Sequence, residues 1–74
     1  MEKSYRIYYT IKMNSKEDAY YINILAKNQK EACDTVKREV YTKTGRNAFR
    51  PTTKPYKDAV EGMPPKKIGW SLPE

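Results

Sequence analysis

Histidine is absent from this chain of 74 residues, cysteine occurs once, and there are three glycines. Each shortage excludes something. The usual general base is missing, and a lone thiol has no positioned partner to activate it. Cys33 cannot close an internal disulfide, and without histidine no Cys/His set can hold zinc. That cysteine usage points to a reducing, cytoplasmic setting. The scattered glycines make neither a P-loop nor a dinucleotide-binding turn, so no metal or cofactor is expected. No stretch approaches the ~20 apolar residues that span a bilayer, and the charged start "MEKSYR" leads into no apolar segment of the signal-peptide kind. The expectation is a soluble protein with no membrane partner.

Size narrows the class further. A chain this short reads as one domain, residues 1–74, which hides only about 60% of the surface its unfolded form exposes. Such a core seldom supplies more than roughly 3–5 kcal/mol, and it leaves no depth for an active-site cleft. Its carboxylate pairs are poorly placed for acid–base work: Glu17 with Asp18 falls at a turn, and Asp58 with Glu61 on a short exposed segment. Neither has an apolar pocket beside it to shift a pKa. A non-enzyme with no catalytic residues is the expected class.

What the chain has in quantity is positive charge. Fifteen Lys and Arg against nine Asp and Glu give +6 at pH 7, enough to draw polyanions through the field of the whole molecule. Between residues 37 and 57, seven bases (Lys37, Arg38, Lys43, Arg46, Arg50, Lys54 and Lys57) accompany one acid, Glu39, an excess equal to the whole net charge. The rest of the chain is neutral on balance.

Periodicity organises the first half. In "SYRIYYTIKM" Tyr5, Ile7, Tyr9, Ile11 and Met13 alternate with polar neighbours, and in "DAYYINILAK" Tyr20, Ile22, Ile24 and Ala26 do the same. The two segments read as an antiparallel hairpin over residues 4–27. A four-residue loop at 14–17 would set Ile11 against Tyr20, Tyr9 against Ile22 and Ile7 against Ile24. At "NQKEACDTVKREVYTKTG" the period changes to that of a helix over 29–44, with Ala32, Val36, Val40 and Thr44 on one stripe and Cys33 beside them as a small apolar group. Asn28 with Glu31 forms a capping box, Gly45 ends the helix, and Asp34–Arg38 and Glu39–Lys43 are acid-before-base pairs four apart.

Beyond Gly45 the five prolines keep regular structure short. Within the basic, proline-containing segment 45–66, "PYKDAVEG" suggests a turn or two of helix. "KKIGWSL" alternates Ile68, Trp70 and Leu72, the pattern of a third strand over 67–72. The expected fold is therefore α+β, a three-stranded, mainly antiparallel sheet in the order β-β-α-β with the helix across one face. Its core would contain Tyr5, Ile7, Tyr9, Ile11, Ile22, Ile24, Ala32, Val36, Val40 and Trp70.

Two surfaces are candidates for function. Lys43, Arg46, Arg50, Lys54 and Lys57 recur every three or four residues among Thr42, Thr44, Thr52 and Thr53, with Phe49 and Tyr56 set among them. That mix of cations and hydroxyls suits phosphate contacts. On the outer hairpin face Tyr8 and Tyr21 stand among Arg6, Lys12, Asn23 and Lys27, where rings can stack on unpaired bases while cations hold the backbone. The reading is a small non-catalytic protein that binds DNA or RNA through Arg46, Arg50, Lys54, Lys57, Lys43, Tyr8, Tyr21, Arg6 and Lys12. The alternative is a protein-binding adaptor or inhibitor that docks an acidic surface of a larger partner, since tyrosine and arginine are enriched where proteins meet. An unpaired sheet edge leaves a dimer open.

Overall fold

A computed structural model describes residues 2–13 and 15–70 of the chain. Strands β1 (Lys3–Met13) and β2 (Lys16–Ala26) form an antiparallel hairpin that sets Tyr9 against Tyr20, Ile7 against Ile22 and Tyr5 against Ile24. This register is two residues from the expected one, because the strands run on to Met13 and Lys16 and leave two residues for the turn. Ser15 takes a left-handed φ of 71° there, a conformation tight two-residue connections demand. A slide of two preserves every side chain's face. Ile7, Tyr9 and Ile11 are accordingly buried on one side, with Tyr5, Tyr20, Ile22 and Ile24 packed at their margins.

Helix α1 (Gln29–Thr44) covers that inner side with Ala32, Val36 and Val40, all fully buried. Both of its ends are chemically specified. Asn28 Oδ1 accepts from the Glu31 amide at 2.8 Å, and Gly45, at φ 72°, closes the last turn by donating its N–H to Tyr41 O at 2.9 Å. On the exposed flank Glu39 and Lys43 approach to 3.5 Å, while Asp34 and Arg38 form no ion pair. The result is a two-layer slab, 38 × 34 × 16 Å.

The second half departs from expectation. The sheet has four strands, not three, in the order β3-β1-β2-β4, with β3 (Phe49–Thr52) antiparallel to β1 and β4 (Val60–Glu61) parallel to β2. Pro51 is tolerated in β3 because that strand is an edge and is bulged: Tyr8 faces Thr52 and Thr10 faces Phe49, so Arg50 and Pro51 together oppose Tyr9. Arg50 accommodates the bulge at φ 50°. Nor does "PYKDAVEG" make a helix: Asp58 turns left-handed at φ 61°, and the chain then pairs as β4. Residues 67–70 form a turn rather than a strand, closed by Trp70 N–H to Lys67 O at 3.0 Å with Gly69 at φ 80°; residues 71–72 lie outside the described residues.

Trp70 consequently leaves the expected core. Its ring lies over Gly45, where an added Cβ would come 2.5 Å from Cδ2, and meets Tyr41 edge-on at 5.4 Å between centroids. Ala26 and Ala48 complete the buried cluster instead. No helix among the described residues is long and apolar enough to cross a membrane.

Candidate nucleic-acid interface

The outer side of the sheet faces away from α1, and its residues are set by strand parity. Across the middle of the sheet the register aligns Thr52, Tyr8, Tyr21 and Glu61 in one row on this side. Residues 53–59 must then carry the chain from one sheet edge to the other. Three interstrand gaps amount to roughly 14 Å, which this length spans easily, whereas a detour around either end of the hairpin is longer. The inner face is occupied by the helix, and Tyr56 meets Tyr8 edge-on at 6.3 Å, so the connection passes over the outer face. Its Tyr56 hydroxyl donates to Arg50 O, and the Lys54 amide donates to Thr52 Oγ1 at 3.1 Å.

This strap brings together the two features that were separate in the sequence. Tyr8 and Tyr21 pack at 5.2 Å with rings inclined by 43°, and Tyr56 joins them from above. The Arg6 guanidinium lies 5.0 Å over the Tyr21 ring, held by Nε donation to Asn23 Oδ1 at 3.4 Å. Tyr21 in turn donates its hydroxyl to Glu61 Oε2 at 3.3 Å. Lys54 and Lys57 sit exposed on the strap, and neither has a carboxylate partner among the described residues. All three tyrosines are half-buried, so the face is a strapped aromatic cluster with cations along its margin rather than a bare platform.

The remaining site residues are distributed. Lys12 lies toward the hairpin turn with its ammonium 5.5 Å over the exposed Phe49 ring, and Arg50 is ion-paired with Glu17. Thr10, beside them, is buried and donates to Phe49 O at 3.3 Å, which explains a hydroxyl with so little exposure on an outer face. Lys43 stands apart on α1, paired with Glu39. Arg46 turns toward the inner side, donating Nε to Pro65 O at 3.1 Å. The acids Glu17, Asp58 and Glu61 also belong to the strapped side and offset part of its charge. Sequence reading left Tyr56 and Phe49 out of the site, although aromatic residues interleaved with the basic run were a visible signal for both.

Burial and hydrogen bonding account for the perturbed groups. Tyr9 is fully buried, its hydroxyl donating to Gly62 O at 2.8 Å, and desolvation with the nearby Tyr20 charge pushes its pKa well above the ordinary phenol value. Tyr20 is raised by burial and by Asp18, against an opposing pull from Arg46. Burial chiefly, then the Asp34 charge, raises the Cys33 thiol against a lowering by Lys37; its Sγ contacts Pro51 O at 3.7 Å and ties α1 to β3. These are groups held neutral, which suits packing. No cluster of metal-ligating side chains occurs among the described residues. Comparison with protein families, curated proteins and solved structures finds no match to this chain.

Proposed function

We propose that the chain is a non-catalytic module that binds single-stranded nucleic acid across its strapped sheet face. The observation that carries this reading is the convergence of Tyr8, Tyr21 and Tyr56 with Arg6, Lys54 and Lys57 on the side the helix leaves uncovered. Base–aromatic stacking is worth roughly 1–3 kcal/mol per base and tolerates any sequence, while the exposed Lys54 and Lys57 of the strap supply backbone contacts. Arg50 contributes less, because Glu17 already compensates it. Lys43 lies on another surface and takes no part.

Fluorescence anisotropy with labelled DNA and RNA oligonucleotides tests the proposal. Affinity should fall steeply as salt rises, and Lys54→Ala with Lys57→Ala should flatten that slope by about 0.7 each. Affinity in dilute salt no greater than that of a neutral control protein would remove it.

A second reading has its own observation. Residues 3–7 of β1 have no β3 partner, residues 22–26 of β2 have none in β4, and Leu25 is 66% exposed beside them. Such an edge suits strand addition by a protein partner or a second copy. A pull-down in which one stoichiometric protein survives nuclease treatment would favour it.

A further inference from the structure

At the C-terminal end of α1, Lys12, Arg46 and Lys67 converge on a hollow of about 240 Å³, completed by Gly45, Asn47 and Phe49. No carboxylate lines it, and none of the three cations has an acidic partner among the described residues. Two of the three have their backbone amides tied to one buried residue. Thr44, 3% exposed, donates its hydroxyl to Val40 O at 2.6 Å and receives the Arg46 amide on the same oxygen at 3.2 Å; its carbonyl accepts the Lys67 amide at 2.9 Å. Arg46 is further held by Pro65 O through Nε, which leaves its two terminal amino groups without a partner among the described residues. The fold thus places like charges side by side.

Charge arithmetic identifies what fits. The helix C-terminus supplies only about half a negative charge, so the lining itself keeps an excess of about two and a half positive charges, with Glu17 across from Lys12 and Asp18 near Tyr20 standing outside it. A phosphomonoester carries roughly −1.5 to −2 at neutral pH, a closer match than the single charge of a phosphodiester. The volume lies below the roughly 300–1,000 Å³ of pockets that enclose whole drug-sized ligands, so the hollow admits a group rather than a molecule. A neighbouring hollow of about 270 Å³ shares Arg46 and Lys67 and adds Met13 and Ile68, which gives apolar room next to the charged wall. Lys12 and Phe49 belong to the outer face, so the anion site opens at the margin of the strapped surface.

We propose that this hollow binds a phosphomonoester dianion, namely the phosphorylated end of a nucleic-acid strand, an inference that rests on the strand-binding reading above. The experiment compares one oligonucleotide carrying a 5′-phosphate, a 3′-phosphate or neither, against wild type and Lys67→Ala, with inorganic phosphate titrated separately by amide NMR. One phosphorylated form should bind about tenfold tighter than the unphosphorylated one, an advantage that Lys67→Ala abolishes without weakening the unphosphorylated oligonucleotide. Retained chemical-shift dispersion shows that the variant is folded. Equal binding of all three oligonucleotides would overturn the end site and leave strand binding standing. If none binds while phosphate shifts the Asn47 and Lys67 amides, strand binding is overturned and a small phosphomonoester is the ligand. Should phosphate move no amide and no phosphorylated end bind better, the site itself is overturned.

Discussion

The two sides of the sheet are closed by different means. On the inner side α1 contributes an apolar stripe, and the buried residues Ile7, Tyr9, Ile11, Val36 and Val40 leave no room for solvent. On the outer side a strap crosses over the half-buried Tyr8 and Tyr21, held by the ring contact of its own Tyr56 with Tyr8 and by the Tyr56 hydroxyl bond to Arg50 O, with the Arg6 guanidinium over the Tyr21 ring beside it. The first closure draws on area removed from water, which nothing in solution replaces. The second draws on stacking and charge-assisted contacts, which a base or a phosphate can replace in kind. A thin domain can therefore keep one side for stability and leave the other for the binding proposed above.

Substitutions can break or sharpen this contrast. The largest effect belongs to Val36→Asp, which buries an unpaired charge on the inner side; its cost exceeds the roughly 3–5 kcal/mol such a core supplies, and far-UV circular dichroism should show an unfolded chain. Next comes Gly45→Ala, at about 2–3 kcal/mol, since a left-handed alanine is strained and its Cβ collides with Trp70. Gly69→Ala is the control, because at φ 80° it meets no atom within 4 Å and bears the backbone part alone. Tyr8→Ser on the outer side removes two ring pairs, costs about 1–2 kcal/mol and lowers Tm by roughly 5–15 °C while the fold survives. An outcome in which Tyr8→Ser unfolds the chain and Val36→Asp does not would invert the assignment of sides.

Smaller effects locate the seam between the two sides. Tyr9→Phe removes the bond to Gly62 O that anchors the far end of the strap, at about 1 kcal/mol. The same phenol makes stability fall in alkali: its folded pKa is raised, so above about pH 10 the unfolded chain loses a proton the folded chain keeps, and stability drops by up to about 1.4 kcal/mol per pH unit. Chemical denaturation at pH 8 and pH 11 should show that loss in wild type and a smaller one in Tyr9→Phe. Lys43→Ala should cost less than about 0.5 kcal/mol and leave nucleic-acid affinity nearly unchanged, as expected for an exposed pair away from the interface.

How much of this was legible in sequence varies with the length of each pattern. The hairpin and helix repeat their periods over many residues, and Asn28, Glu31 and Gly45 mark the helix ends with their own chemistry, so these elements could be read directly. Parity fixed which side Ile7 and Tyr8 face but not the slide, because a two-residue and a four-residue loop preserve the same faces. Strands of four and two residues show no period at all; β3 and β4 exist because Phe49, Thr52 and Glu61 find partners on the hairpin edges, a tertiary cause. The alternation of Ile68 and Trp70 was local mimicry, overridden by the Lys67 amide bonding Thr44 O. For the site, sequence supplied the ingredients Tyr8, Tyr21, Lys54 and Lys57, but only the crossing of residues 53–59 puts them in one place.

The seat of Trp70 on Gly45 carries a practical consequence. It is the only tryptophan of the chain, and its indole nitrogen is enclosed with no partner among the described residues. An intrinsic fluorophore therefore stands three positions from Lys67, joined to it by a backbone bond, with its ring on Gly45, which lines the hollow at the end of α1. Its emission can be followed during a phosphate titration of the unlabelled protein, and a shift to the red would report that the closing turn has let in water.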